Sequence, residues 1–176
     1  MKRVMIVDDE QGVLNALKRS LRREGWSLLA FDDPVAALNL AATETINLVI
    51  SDYRMPKMNG VAFLKEMRAI QPDAFRILLS GQADMEGVLE AINEAEIYRF
   101  ITKPWNDAEL KVTIEQAVNH REILLENRRL ADQVRKQQLQ INYQTTELER
   151  LEGESPGITQ VNWGPDGSII LSLDDL

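Results

Sequence analysis

The chain lacks cysteine altogether, has a single histidine, and contains neither a basic block nor a long apolar run. The absence of cysteine excludes disulfide bonds and thiolate chemistry, and it is compatible with a reducing compartment. A formal net charge of −8 over 176 residues makes nucleic acid and anionic membranes poor candidate partners. No apolar stretch is long enough to cross a bilayer, and the amino terminus lacks a signal-peptide pattern. We therefore expect a cytoplasmic protein that binds neither DNA nor membranes.

The first 120 residues contain a regular alternation of short apolar runs and helical patterns. The apolar runs have the length of β-strands and cover residues 3–7, 26–31, 47–51, 75–79 and 98–102. Apolar residues at helical spacing predict five helices, each following one of these strands. The fourth predicted helix carries Met85, Val88, Leu89 and Ile92. This alternation predicts an α/β fold with a doubly wound, five-stranded parallel sheet of flavodoxin-like order 2-1-3-4-5, forming one domain at residues 1–120.

The fifth predicted helix is unusually long, because no proline or glycine occurs between Asp107 and Leu151. Its second half contains a row of residues with the alternating 3–4 spacing of a coiled coil. This row, here called the seam, comprises Ile123, Asn127, Leu130, Val134, Gln137, Ile141, Gln144, Leu148 and Leu151. A polar-rich helix of this length needs a partner to be stable. We therefore favour a homodimeric parallel coiled coil at residues 121–152 over a solvated helix lying on its own domain.

The residues after 152 predict a change of structure. We expect Gly153, Pro156 and Gly157 to break the helix. Two runs of alternating polarity, residues 158–163 and 168–173, flank a Pro-Asp-Gly turn and predict a β-hairpin within 153–176. A lone hairpin is marginal in water, so we expect it to dock on a partner or on the opposite chain.

Polar side chains follow four of the predicted strands. Asp8 and Asp9 come after the first strand, Asp52 after the third, Ser80 after the fourth and Lys103 after the fifth. These strand ends share one edge of a doubly wound sheet, so the five side chains should converge. Taken singly, each has an ordinary alternative as a helix cap, a loop-stabilising side chain or a solvated lysine.

Taken together, these residues are suited to binding a cation and reacting with a phosphoryl group. Crowded carboxylates repel each other and their pKa values rise unless a cation is present. Mg²⁺ accepts carboxylate oxygens and keeps water and phosphate oxygens as further ligands. A carboxylate beside such an ion is a competent nucleophile for phosphoryl transfer, so we predict an aspartyl-phosphate at Asp52. Lys103 would offer its charge to one phosphate oxygen, and the Ser80 hydroxyl would donate a hydrogen bond to another.

The residues Asp8-Asp9, Asp52 within Asp-Tyr-Arg-Met-Pro-x-x-x-Gly, Ser80-Gly81 and Lys103-Pro104 together resemble the receiver (CheY-like) domain of bacterial two-component response regulators. The resemblance covers roughly residues 1–120. It implies that Asp52 is the phosphoacceptor and that the protein is not an enzyme beyond its own phosphorylation and dephosphorylation. It also implies a sensor histidine kinase or phosphotransfer protein as the phosphoryl donor.

The resemblance assigns further roles to individual residues. It implies direct Mg²⁺ ligation by Asp9, Asp52 and the backbone carbonyl of Arg54, with Asp8 acting through a water molecule. It implies that Ser80 moves onto the phosphoryl group and that Phe100 is the switching aromatic residue, where many relatives have tyrosine. A cis peptide bond between Lys103 and Pro104 is also implied.

The segment from Tyr98 to Trp105 looks most like receivers attached to HD-GYP phosphodiesterase outputs or to hydrogenase-type regulators. The expected protein signals to a downstream protein partner through its coiled coil and through the face made by the fourth helix, fifth strand and fifth helix. One alternative is a receiver fragment whose PAS or HD-GYP output is missing. The other is a Mg²⁺-dependent phosphohydrolase, which would carry a second acid where this chain has Arg54. We interpret His120, on the long helix, as a surface residue.

Overall fold

The computed structural model describes residues 2–22, 25–81 and 95–157. Contacts within the chain separate two compact units, Met1–Glu126 and Asn127–Leu176. The fourth predicted helix and the predicted C-terminal hairpin lie outside the described residues. The proposed division at residues 120 and 152 therefore stays a prediction.

The first unit contains five strands and the helices that connect them. The strands are β1 (Arg3–Val7), β2 (Ser27–Phe31), β3 (Leu48–Asp52), β4 (Phe75–Gly81) and β5 (Arg99–Lys103). The described helices are α1 (Gln11–Leu21), α2 (Pro34–Ala41), α3 (Gly60–Ile70) and α4 (Asp107–Glu154). Helix α4 corresponds to the fifth helix predicted from the sequence. None of the described helices combines the length and the apolar character needed to cross a membrane.

The five strands form one parallel sheet in the order β2-β1-β3-β4-β5, which confirms the predicted flavodoxin-like topology. In the register of the sheet, Asp52 pairs with Leu79 and Gly81 pairs with Lys103. Since all strands run in the same direction, their carboxyl ends lie at one edge. The sheet thereby brings the ends of β1, β3, β4 and β5 together.

The sheet separates two apolar cores, because successive side chains of a strand point to opposite faces. On β1, Val4 and Ile6 belong to a core that also contains Leu14 and Leu17 of α1 and Ile114 of α4. The intervening residues of β1 belong to the other core, which is covered by α2 and α3; these residues are Met5 and Val7. Strands β1, β3 and β4 are therefore buried on both faces, as their continuous apolar runs predict, whereas the edge strands β2 and β5 are only partly buried.

Several element ends differ from those predicted. Asp52, Ser80 and Lys103 are residues of their strands rather than the loop residues that follow. Each strand residue is paired in the ladder up to the site. The backbones of Asp52, Ser80 and Lys103 are consequently held by the sheet ladder rather than by loops.

The helix ends within the segment that contains Gly153, Pro156 and Gly157, as predicted, although α4 continues through Gly153 to Glu154. A single glycine costs a helix only about 1 kcal/mol relative to alanine. Arg150 bridges the last turn through ion pairs with Glu147 at 2.6 Å and Glu154 at 2.5 Å. The positive φ of 91° occurs later, at Gly157, whose amide donates to the Glu152 carboxylate.

Helix α4 offers a matched test of core packing. Ile114 is fully buried, whereas Val112 is 51% exposed two residues earlier. We expect Ile114→Ala to lower the free energy of unfolding by about 2–5 kcal/mol, because it leaves a cavity under the sheet. Val112→Ala should change it by less than about 0.5 kcal/mol. Urea unfolding curves of both variants check this, and equal effects would contradict the assigned core.

Candidate functional site

Two carboxylates and one ammonium group meet at the carboxyl edge of the sheet. The Lys103 Nζ lies 2.8 Å from Asp8 Oδ2 and 2.6 Å from Asp52 Oδ1. Asp8 is fully buried and Asp52 nearly so, while the Lys103 side chain keeps 20% of its surface exposed. Residues from the ends of β1, β3 and β5 thus form one ionic cluster that faces solvent through the lysine.

Burial dominates the electrostatics of this cluster. Burial raises the pKa of the Asp8 carboxyl above its ordinary value, although hydrogen bonds from Lys103 and from the Glu10 backbone act in the opposite direction. Burial alone would lower the pKa of the Lys103 ammonium, but its hydrogen bonds to Asp52 and Asp8 leave this pKa above the ordinary lysine value. The lysine is therefore held in its charged form, and the Asp8 carboxylate would gain from an additional cation nearby.

Backbone amides fix the orientation of both carboxylates. The Arg54 amide donates to Asp52 Oδ2 at 2.8 Å, and the Glu10 amide donates to Asp8 Oδ1 at 2.9 Å. Each carboxylate therefore has one oxygen on the lysine and the other on a backbone N–H group. This arrangement leaves the Asp52 side chain little rotational freedom.

Gly60 forms the wall behind Asp52. A Cβ atom at this position would lie 1.9 Å from the Asp52 backbone oxygen and 3.0 Å from Leu78 Cδ1. The Gly60 amide donates to the Tyr53 carbonyl at 2.9 Å, and the Asn59 side chain caps the start of α3. The glycine is required by this close approach of two backbone segments rather than by an unusual φ.

The remaining predicted site residues lie at or near the ends of β4 and β5. Ser80 is fully buried, and its hydroxyl donates to the Gly81 carbonyl at 3.1 Å. Phe100 is partly buried against the core formed with α2 and α3. The Lys103–Pro104 peptide bond is cis.

The side chains of Asp9 and Arg54 are exposed. Together with Tyr53, Met55, Pro56 and Asn59, they line an open groove of about 450 Å³. Within residues 2–22, 25–81 and 95–157, no three acidic or histidine side chains converge closely enough to form a metal cluster by themselves. The available donors are carboxylate and carbonyl oxygens, which are the ligands that Mg²⁺ prefers.

Sequence reasoning missed two features of this site. It assigned Lys103 to a phosphate oxygen but did not foresee that the lysine joins Asp8 to Asp52. It also missed a brace on the β3–α3 loop, where Lys57 pairs with Asp33 at 2.7 Å and Asp33 caps α2. The proline and glycine of this loop mark it as a loop in the sequence. The partner of Lys57 could not be predicted, because it depends on how α2 packs beside the loop.

Comparison with known families places this site in context. The model of the response regulator receiver domain matches residues 4–115, so the chain belongs to the response regulator receiver family. Phosphorylation on an aspartate is general to this family, whose members are generally non-enzymatic phosphoacceptors and generally bind Mg²⁺ at the phosphorylation site. Receivers of response regulators interact with histidine kinases or phosphotransfer proteins. The resemblance found in the sequence is confirmed.

Individual relatives agree with the family assignment. The hydrogenase transcriptional regulatory protein HoxA of Bradyrhizobium diazoefficiens is 38% identical over 115 residues, covering 65% of this chain and 24% of that protein. The C4-dicarboxylate transport transcriptional regulatory protein DctD of Rhizobium meliloti is 31% identical over 150 residues, or 84% of this chain and 32% of that protein. The chain thus spans about a quarter to a third of the length of these relatives.

A solved structure shows the same fold. The signal receiver domain of an HD domain-containing protein from Pseudomonas fluorescens Pf-5 is 36% identical, with a TM-score of 0.66. The match covers 69% of this chain and 97% of that one. The two kinds of receiver that the sequence most resembled, hydrogenase-type and HD-associated, are both found among its relatives.

The wall behind Asp52 can be tested by adding one methyl group. We expect Gly60→Ala to lower the free energy of unfolding by about 1–3 kcal/mol, because its Cβ overlaps backbone atoms that cannot yield easily. It should also speed amide exchange at Tyr53 and Arg54, which flank the contact. Gly12→Ala in α1 is the matched control, because nothing lies within 4 Å of the added atom. Equal effects of the two substitutions on stability and exchange would refute the assigned role of Gly60.

Proposed function

We propose that the protein is a phosphorylation-switched response regulator in which Asp52 accepts the phosphoryl group. The observation that carries this proposal is the ionic cluster at the carboxyl edge of the sheet, with Asp52 bonded to Lys103 beside the groove lined by Asp9. An Asp52 carboxylate oxygen forms the new bond to phosphorus. The bond from phosphorus to the nitrogen of a phosphohistidine, or to the oxygen of an acyl phosphate, breaks with its electron pair leaving on the donor.

Each neighbour of Asp52 has a distinct task in this proposal. Lys103 keeps its positive charge and balances the negative charge that arrives on the phosphoryl oxygens. The Arg54 amide holds Oδ2 of Asp52 and Lys103 holds Oδ1, so the two contacts orient the carboxylate for reaction. Asp9, Asp52, the Arg54 carbonyl and, through water, Asp8 would hold Mg²⁺. When bound, the ion offsets the carboxylate repulsion and polarises the phosphoryl group.

Phosphorylation then alters the face made by the fourth predicted helix, β5 and α4. A phosphoryl dianion at Asp52 offers new acceptors for the Ser80 hydroxyl, which in this structure donates to the Gly81 carbonyl. Movement of Ser80 and its strand end gives Phe100 room to turn inward from its half-buried position. A downstream protein partner reads this change of surface.

The phosphoacceptor can be identified by intact-mass measurement after incubation with acetyl phosphate and Mg²⁺. We expect one phosphoryl group per chain, none in Asp52→Asn, which removes the nucleophile, and nearly none in Asp9→Ala, which removes a proposed Mg²⁺ ligand. Asp32→Asn, which changes an exposed acid outside the cluster, should label normally. Normal labelling of Asp52→Asn would refute the assignment. Repeated turnover of small phosphate esters would instead favour a phosphohydrolase.

The seam on α4 supports a second part of the proposal, a parallel homodimer. Between Ile123 and Leu148, its large apolar residues are 47–62% exposed, namely Ile123, Leu130, Val134, Ile141 and Leu148. In the first unit, the buried residues of α4 are Leu110, Ile114, Ala117, Val118 and Arg121. At 3.6 residues per turn, Ile123 lies roughly 160° around the helix from that buried row. A second chain can therefore approach Ile123 without displacing the core of the first unit.

The pairing should be weak and adjustable. Asn127, Gln137 and Gln144 place polar side chains inside the seam, and such residues favour register over stability. Glu147 and Glu152 occupy flanking positions that would face each other across a parallel pair, although Glu147 also pairs with Arg150 of its own helix. Phosphorylation needs to supply only a few kcal/mol to change such a pairing.

A charge placed in the seam tests the homodimer. We expect Ile141→Asp to make the protein monomeric at micromolar concentration in analytical ultracentrifugation, because it buries a carboxylate in an apolar interface. Asp52 labelling should be unaffected. Tyr143→Asp is the matched control, since Tyr143 is 72% exposed and lies off the seam. If the protein without substitutions is monomeric both with and without phosphorylation, the dimer is refuted.

A further inference from the structure

Helix α4 is anchored to the first unit by three consecutive residues at the end of its buried row. Arg121 is only 8% exposed, and its Nε donates to the Asp73 carbonyl at 2.8 Å. The next residue, Glu122, pairs with Lys2 at 3.0 Å, just before β1 begins. These contacts tie α4 to the α3–β4 loop and to the chain preceding β1.

His120 adds an aromatic contact to these polar ones. Its ring lies 5.6 Å from the Phe75 ring in an edge-on arrangement and 5.7 Å from the Tyr98 ring. Phe75 and Tyr98 also contact each other at a ring distance of 4.7 Å. His120 is exposed, as the sequence predicted, but its ring packs on two aromatic side chains. His120, Arg121 and Glu122 with these partners are here called the clamp.

The clamp lies at the opposite ends of the strands that form the phosphorylation site. Phe75 is the first residue of β4, and Ser80 and Gly81 are its last residues. Tyr98 directly precedes β5, which ends at Lys103, and its amide donates to the Arg76 carbonyl of β4 at 2.8 Å. Two hydrogen-bonded strands therefore connect the site to the rings that hold His120.

The seam begins at the residue after the clamp. Arg121 is the last buried residue of α4, whereas Ile123 is 59% exposed. Three anchors on consecutive residues fix both the direction and the rotation of the helix at this point. A shift of β4 or β5 that moved the Phe75 and Tyr98 rings would therefore act on the helix directly before Ile123.

We propose that the clamp couples phosphorylation at Asp52 to the start of the seam, so that His120 and Glu122 are positioning residues for signalling. This inference rests on the proposed function of Asp52. The clamp residues take no part in phosphoryl transfer. Their loss should disconnect α4 from the site while the receiver continues to accept phosphoryl groups.

Hydrogen exchange with and without beryllofluoride, a phosphoryl mimic, tests the clamp on the full chain. We expect the mimic to change exchange at residues 119–126 of the unmodified protein. In the double variant His120→Ala, Glu122→Gln, the mimic should no longer change exchange at these residues. Asp52 of this variant should be phosphorylated at the same rate as in the protein without substitutions. The single variant Glu122→Gln keeps the size of the side chain and should reduce the change in exchange. Because it disturbs packing little, its result separates loss of the contact from a folding defect. Asn119→Ala combined with Glu115→Gln is the control on exposed positions of the same helix.

The possible results separate the two proposals. Full occupancy of Asp52 without any change at residues 119–126 would overturn the clamp and leave the phosphoacceptor intact. An undiminished change in the double variant would also overturn it. Failure of the unmodified protein to accept either phosphoryl groups or the mimic would refute the proposed function and the clamp together. A purely structural role predicts faster exchange in the variants but an unaltered response to the mimic.

Discussion

The lysine held between two buried carboxylates is the interaction on which the rest of this structure depends. Without the ammonium of Lys103, Asp8 and Asp52 would be two buried like charges, and removal of one partner from such a cluster typically costs about 3–5 kcal/mol. The lysine can bridge both acids only because β1, β3 and β5 end at one edge of a parallel sheet. The same edge is where a phosphoryl group and a cation would rearrange these charges.

The precision of the site comes from strands and backbone amides. Asp52, Ser80 and Lys103 are paired strand residues, and the carboxylates of Asp8 and Asp52 each accept a hydrogen bond from a backbone N–H group. Gly60 closes the space behind Asp52 so tightly that no side chain fits there. In the proposed mechanism a new charge at Asp52 would therefore act on the strand ends as well as on the Ser80 and Phe100 side chains.

The topology and the convergence of the site could be predicted from the sequence, whereas contacts distant along the chain could not. Apolar runs and helical spacing identify five strands, and the rules for parallel sheets then order them and place Asp8, Asp52 and Lys103 at one edge. Local pattern does not indicate that Lys103 bridges both acids or that His120 packs on Phe75 and Tyr98, since these pairs form only after the sheet assembles. For a related reason, the sequence did not indicate that α4 continues through Gly153 before it ends at Glu154. One glycine destabilises a helix only slightly, and the ion pairs of Arg150 stabilise the last turn of α4.

Helix α4 satisfies two different demands along one continuous sequence. Up to Arg121, its apolar residues complete a core that the first unit needs for its own stability. From Ile123 onwards, its apolar residues are exposed and spaced for another helix. Completion of the first unit alone does not explain the apolar seam residues. Dimerisation alone does not explain the anchors at His120, Arg121 and Glu122. The abrupt change between these two patterns supports the proposed coupling, in which the receiver holds one end of the junction and the seam pairs with a second chain.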